Sequence, residues 1–325
     1  MSASATTAFG RALERDGPTV LDGGLATQLE AQGHDLGTKL WSAALLRSDP
    51  QAIARAHRAY LEAGAECIIS ASYQASTQGF VALGLAAKEA DRLIASSVEI
   101  AIAARDAFVQ ERPETPFVPL VAASVGPYGA VLHDGSEYRG HYGIDRAALR
   151  SFHEPRLRLL DACGADVLAC ETIPDSDEAC VLAELLAATR TPAWISFSCR
   201  DGRAINDGTS IAEVAARFRD HPKVLAVGVN CTAPQFVTPL IRQIRRAVRH
   251  KAVVVYPNSG ERYDAHDNSW HGTVTPLDCA AAAREWRAAG ATLIGGCCRM
   301  GPPHIAAIRR ALHLRVGPQQ ITDLI

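Results

Sequence analysis

Short continuous apolar runs alternate with amphipathic stretches along this chain. Residues 19–22 (TVLD), 67–73 (CIISASY), 117–125, 167–172 (VLACET), 193–199 (AWISFSC), 225–231, 252–256 and 292–297 are apolar runs of strand length. Between them the spacing predicts helices over 49–63, 86–111, 145–163, 176–189, 238–250 and 276–289, with another opening at Ser210. Glu213, three residues past Ser210, completes a capping-box pattern. Strands that read as unbroken apolar runs are buried on both faces, as in parallel sheets. One unit recurs: EAGAECIIS (62–70), DACGADVLA (161–169) and RAAGATLIG (287–295) each end a helix, turn at Gly-Ala and enter a strand. Glycine suits the left-handed position that closes a helix. Eight such strands in 325 residues predict a closed (β/α)8 TIM-like barrel in one domain, with its core over about 17–315. An open doubly wound α/β sheet is the alternative. No break in composition marks a second domain.

Two connections are long and lack a helix pattern, 126–144 after the third strand and 257–274 after the seventh. Both leave the carboxyl end of a strand, where barrels place their active sites. Their tyrosine, tryptophan and glycine content points to a binding lid.

Composition narrows the function. Lys and Arg total 33 against 35 Asp and Glu, so nothing directs the chain to nucleic acid or an anionic membrane. The first 17 residues lack the apolar core of a signal peptide. No stretch approaches the roughly 18 apolar residues of a membrane span. A soluble, cytoplasmic protein is expected. In a reducing compartment the nine cysteines should be free thiols or metal ligands, not a disulfide framework.

The candidate chemistry lies at strand ends. Cys297 and Cys298 are adjacent and follow Gly295 and Gly296. Neighbouring cysteines form only a strained disulfide with each other. A sharp bend, which glycine permits, would instead point both at one metal. Cys231, in VGVNCTAP, ends the sixth run and is the third candidate ligand. Only one strand separates the sixth from the eighth, so their ends can converge. Three thiolates leave a fourth position open, the arrangement of a catalytic zinc. The competing reading, three small buried hydrophobes, does not account for their clustering at strand ends. An iron–sulfur cluster is disfavoured because no C-x2-C spacing occurs. Cys67, Cys163, Cys170, Cys180, Cys199 and Cys279 read as core or helix residues. The eleven histidines form no metal-like pair and read as surface or loop residues. Asp22 and Glu171 end the first and fourth strands, positions that read as catalytic or substrate-binding. Together they could hold a substrate ammonium; a salt bridge or helix cap is the alternative.

The segments VLDGGLATQLE (20–30), SASYQAS (70–76), SVGPYGA (124–130), CETIPD (170–175), GVNCTAP (228–234), YPNSGERYD (256–264) and GGCCR (295–299) resemble, in order and over nearly the whole chain, the zinc-dependent homocysteine S-methyltransferase family. The resemblance implies a (β/α)8 barrel, with Zn2+ held by Cys231, Cys297 and Cys298. It implies Asp22 and Glu171 as contacts of the homocysteine amine, Asn230 as a group beside the metal, and Tyr73 in the substrate pocket. Homocysteine would fill the open metal position as a thiolate and attack an activated methyl group, giving methionine. Betaine-using relatives carry a long extension after GGCC, and cobalamin-dependent relatives carry further domains. Here residues 299–325 offer one helix and a short tail, closer to enzymes using S-methylmethionine or S-adenosylmethionine. A related selenocysteine methyltransferase is a neighbouring possibility. No glycine fingerprint for an adenosine cofactor is present. Tyr73, Tyr128 and Trp270 fall where they could offer aromatic faces to a sulfonium. A monomer or small homo-oligomer is expected. Two rival readings are a zinc hydrolase or aldolase and a non-catalytic binding protein with structural zinc. The first would call for histidine ligands, the second for a fourth protein ligand.

Overall fold

The structure is a computed structural model that describes residues 7–35, 41–260, 262–264, 269–271 and 275–313. Each expected apolar run contributes a barrel strand: β1 (Thr19–Val20), β2 (Cys67–Ile69), β3 (Leu120–Val125), β4 (Val167–Ile173), β5 (Ala193–Phe197), β6 (Val224–Asn230), β7 (Ala252–Tyr256) and β8 (Leu293–Ile294). They pair in parallel in the order β1-β8-β7-β6-β5-β4-β3-β2. A parallel bridge between Leu21 and Cys67 joins the two ends. It is supported by Asp22 N–H to Cys67 C=O at 3.0 Å and Glu66 N–H to Val20 C=O at 2.7 Å. With its strands in sequence order and helices outside, the sheet is a (β/α)8 barrel.

Each strand splits its side chains between two apolar layers, because successive residues point to opposite faces. Val121, Ala123 and Val125 of β3 pack outward under the helices, while Leu120 and Ala122 point into the barrel. Trp194 fills the interior with Tyr256, to whose hydroxyl its indole N–H donates at 3.0 Å. The helix Ala8–Leu13, absent from the sequence reading, puts Phe9 into that same cluster, 5.9 Å from the Trp194 ring. The lower barrel is thus a packed apolar plug.

Gly64, Gly164 and Gly290 have φ of 96°, 82° and 113°, the left-handed closures expected of the recurring unit. Ser210 does precede the short helix Ile211–Ala216, but its side chain makes no capping hydrogen bond. Its backbone bridges instead to Ala204. The capping box lies at Thr275 and Asp278, opening Pro276–Ala289.

Two histidines are not surface residues. His57 in Pro50–Glu62 and His153 in Arg146–Asp161 are fully buried. Each falls on the face its helix turns to the sheet, His57 four residues after Ile53 and His153 four after Leu149. The connection 126–144 also differs from expectation, since it contains the helix Tyr128–Leu132 and the 3-10 turn Ser136–Tyr138. Glu178 anchors it: its carboxylate accepts from Tyr128 N–H at 2.6 Å, His153 Nε2 at 2.7 Å and the Tyr142 hydroxyl at 2.8 Å. In 257–274 the backbone pairs Arg262–Asp264 antiparallel with Ser269–His271. The side chain of Trp270 and residues 261, 265–268 and 272–274 lie outside the described residues. Among the described residues no helix is long and apolar enough to cross a membrane.

Candidate metal centre and substrate pocket

β1, β2, β5, β6 and β8 stop short of the apolar runs that predict them, and residues just past their ends turn into the upper mouth. Cys231 follows β6 with φ of 43°, a left-handed conformation that non-glycine residues rarely adopt. Its N–H donates to Tyr256 C=O at 3.2 Å. Past β8, Cys297 N–H donates to Pro257 C=O at 2.8 Å, and Cys298 C=O accepts from Ser259 N–H at 3.1 Å. The three sulfurs converge within 4.8 Å of one another, as the strand-end argument anticipates. Gly295 and Gly296 serve this arrangement by close approach, not by positive φ. A Cβ at Gly295 would sit 2.6 Å from the Leu21 Cβ, and one at Gly296 2.7 Å from the Met300 Cβ. The left-handed bend falls at Arg299, with φ of 66°.

The expectation of nine unpaired cysteines needs one correction. Cys231 and Cys297 are joined as a disulfide, with Cα atoms 5.7 Å apart, and the Cys298 sulfur lies 3.8 Å from that of Cys231. The fold brings these thiols close enough to be oxidised to one another, so metal binding at all three requires the reduced form. Burial pushes the Cys298 thiol up from its ordinary pKa, while the Tyr138 hydroxyl, hydrogen-bonded to it, pulls the other way. The remaining six cysteines are unpaired, four of them buried.

Below the sulfurs lies a ring of buried polar groups. Asp22 is 3% exposed, and its Oδ2 accepts from Ile69 N–H at 2.7 Å. Its Oδ1 is buried with no partner among the described residues. Burial raises the Asp22 pKa well above the usual carboxylate range, and the nearby charge of Glu171 adds to this. Glu171 accepts a hydrogen bond from Ser124 Oγ and is bonded to the Tyr256 hydroxyl. Burial nevertheless pushes its carboxyl up to about 7. Asn230 is fully buried, and its Oδ1 accepts from Thr172 N–H at 2.7 Å and Ser196 Oγ at 2.8 Å. Its Nδ2 donates to Thr172 Oγ1 at 2.7 Å. These bonds hold Thr172 at φ of 60°.

A cavity of about 260 Å3 opens above this ring and touches Asp22, Tyr73, Glu171, Asn230 and all three cysteines. The three cysteines, Asp22, Glu171, Asn230 and Tyr73 therefore reach one cavity. Tyr128 does not: it packs edge-on against Tyr142 and Phe152, with centroids 5.4 and 5.1 Å away, and holds the 126–144 segment down. That segment brings Glu137 and Tyr138 into the cavity instead. Arg156 is a further residue the sequence reading missed. It is 2% exposed and donates to the carbonyls of Ser72, Tyr73 and Gly126 at 2.6, 2.6 and 3.0 Å. The signal available was a lone arginine on the apolar face of its helix, between Phe152 and Leu160.

The mouth thus sets soft sulfur donors against buried carboxylates, a pairing suited to a thiophilic metal beside a cationic amino group. The described residues offer no histidine or carboxylate ligand to the sulfur cluster. The family model for homocysteine S-methyltransferase matches residues 19–312. The homocysteine S-methyltransferase YbgG of Bacillus subtilis is 48% identical over 292 residues, covering 89% of this chain and 92% of its own. A selenocysteine Se-methyltransferase of Brassica oleracea is 44% identical, covering 92% and 90%. The homocysteine methyltransferase MmuM of Escherichia coli, solved in a metallated form, superposes with a TM-score of 0.83 at 44% identity, covering 92% of this chain and 98% of that one. The same relative is known in an oxidized form, with a TM-score of 0.84. The chain belongs to the homocysteine S-methyltransferase family.

Proposed function

We propose that this enzyme moves a methyl group from a sulfonium donor to the sulfur of homocysteine, with Zn2+ held by Cys231, Cys297 and Cys298. The observation that carries the reading is the convergence of three sulfurs, and no other ligand type, at the edge of a cavity whose floor is carboxylate. The donor set suits zinc, because thiolates favour it and three protein ligands leave one position for substrate. When bound, zinc supplies the acidity that leaves a coordinated thiol deprotonated at neutral pH.

The chain's own residues do the rest. Asp22 and Glu171 receive the homocysteine ammonium. The free Asp22 Oδ1 is a ready acceptor, and an arriving cation favours the charged form of both carboxyls, which burial otherwise opposes. Asn230 and Thr172 fix the backbone that presents Cys231. The reaction breaks the bond between methyl carbon and sulfonium sulfur and forms one to the acceptor sulfur. The bonding pair stays on the donor, so a sulfonium and a thiolate become two neutral thioethers. A cavity shielded from water favours that loss of charge. No protein base is required for the transfer itself.

S-methylmethionine is the expected donor, S-adenosylmethionine is used less well and betaine hardly at all. This ranking rests on the family resemblance. A second acceptor, selenocysteine, is favoured by the relative of that specificity. A methyl-transfer assay with homocysteine and selenocysteine against the three donors tests both points. A clear preference for betaine refutes the donor, and faster turnover of selenocysteine replaces the acceptor. The metal is tested separately. Reduced protein should hold about one zinc per chain, serine at any of the three cysteines should remove most of it, and Cys279→Ser should not. Full zinc retention in any one of the three ligand variants refutes the assignment.

A further inference from the structure

The segment 126–144 delivers a carboxylate that the reading above leaves unused. Glu137 lies in the 3-10 turn Ser136–Tyr138 and lines the cavity. Its Oε2 is buried and has no hydrogen-bond partner among the described residues. The segment is held by other groups. Glu178 anchors Tyr128 and Tyr142, Asp175 Oδ2 accepts from His141 N–H at 2.9 Å, and Ser198 Oγ donates to the Glu137 carbonyl at 3.2 Å. The adjacent arginine, Arg139, is committed to Asp134, donating to its carbonyl at 2.8 Å and pairing with its carboxylate at 3.5 Å. A buried acceptor left without a donor is unfavourable in the empty pocket and becomes favourable when a ligand supplies an N–H. Glu137 is also one residue from Tyr138, whose hydroxyl reaches Cys298. The carboxylate therefore stands near the reacting sulfurs, on the loop wall and not on the strands that carry Asp22 and Glu171.

We propose that Glu137 is a donor-binding residue that takes the α-ammonium of an amino-acid sulfonium donor; this rests on the methyl-transfer reading above. The unmet need of Oε2 is for a hydrogen-bond donor. A sulfonium centre has none, and neither has betaine, whose nitrogen carries only carbon. The α-ammonium of S-methylmethionine has three, and three carbons separate it from the sulfonium. Asp22 and Glu171 then hold the acceptor's ammonium and Glu137 the donor's, so two amino acids bind at one centre with their sulfurs facing. The same carboxylate also selects against cations that lack an amino group.

The test compares wild type with Glu137→Gln for KM of S-methylmethionine, KM of homocysteine and zinc content. It adds the competition constant of dimethylsulfoniopropionate, a sulfonium without an α-amino group, against S-methylmethionine turnover. The variant should raise the KM of S-methylmethionine about tenfold or more, the loss expected for one charge-assisted hydrogen bond. The KM of homocysteine should stay within about twofold, and zinc should be retained. Wild type should bind dimethylsulfoniopropionate about tenfold more weakly than S-methylmethionine, and Glu137→Gln should erase most of that gap. An unchanged KM for S-methylmethionine overturns the proposal, as does a gap that persists in the variant. A rise confined to the KM of homocysteine overturns it too, by assigning Glu137 to the acceptor. Wild type that transfers no methyl group from any sulfonium to homocysteine fails at the underlying reading, which the wild-type assay alone reveals.

Discussion

Asn230→Ala is the sharpest test of how the barrel presents its sulfur ligands. Asn230 sits immediately before Cys231, and the three hydrogen bonds of its side chain, at 2.7–2.8 Å, run to Thr172 and Ser196. Truncation leaves the buried Thr172 N–H with no acceptor, a loss of about 1–3 kcal/mol, and removes two further bonds of about 1 kcal/mol each. The expected destabilisation is about 3–5 kcal/mol. Unfolding entropy scales at about 2.1 cal/mol/K per residue, so for 325 residues the melting temperature should fall by about 4–7 °C. Ser196→Ala is the control. It removes two bonds, to Asn230 Oδ1 and to the Tyr256 hydroxyl, about 2 kcal/mol in all, while Asn230 keeps both bonds to Thr172 and the Tyr256 hydroxyl keeps the Trp194 indole. Release of Thr172 from its left-handed conformation should also loosen Cys231, so the Asn230→Ala protein should bind zinc more weakly in a chelator competition. Thermal melts of both variants settle the point. If Asn230→Ala melts within about 1 °C of Ser196→Ala, the network does not hold the mouth and the reasoning fails.

Other consequences follow from the same groups. Asp22→Asn and Glu171→Gln should each weaken homocysteine binding by about tenfold or more with zinc retained; calorimetry showing unchanged affinity in both would make the carboxylates structural. Glu171 binds an ammonium only when ionised, and its pKa stands at about 7. Homocysteine affinity should therefore rise as pH increases through 7, and the Glu171→Gln protein should lose that component. His57 is fully buried, with neither ring nitrogen hydrogen-bonded among the described residues, and burial lowers its pKa to about 4. Below about 6.5 the unfolded chain takes up a proton that the folded chain refuses until about 4. Stability is thus lost as pH falls through that window, by roughly 3 kcal/mol in all. Urea midpoints at pH 7 and pH 5 should differ less in His57→Leu than in wild type, and an equal difference would refute the assignment.

What the sequence revealed and what it hid have physical causes. The barrel was legible because a strand buried on both faces is mostly apolar, as these eight are apart from Thr19, Ser124, Glu171, Thr172, Ser196 and Asn230. The three cysteines were legible because parallel strands carry their ends to one rim. The bends that aim them were not, since left-handed φ at Cys231, Thr172 and Arg299 has no glycine to announce it. Gly295 and Gly296 announce close packing instead. The polarity of His57 and His153 suggests the surface, but helical phase puts both on the buried faces of their helices. Tyr138, not the expected Tyr128, reaches the mouth for a longer-range reason. Which face of 126–144 turns inward is fixed by Glu178, on the second helix after that segment.

The distribution of unfavourable features bears on how the site works. Three non-glycine residues in left-handed conformations stand at the mouth, each at a cost of order 1–3 kcal/mol. The buried carboxyls of Asp22 and Glu171 lie in the same region, both with raised pKa values. The lower barrel, by contrast, is filled with Phe9, Trp194, Val254 and Leu293 and holds the strands in register. That apolar plug keeps the upper groups in place although their own interactions oppose it. A site held this way needs little rearrangement when its ligands arrive; under the proposed function, arriving amino groups would meet carboxyls that burial had kept from ionising. The separation of a stable floor from a strained rim is what lets a rigid barrel present reactive sulfur.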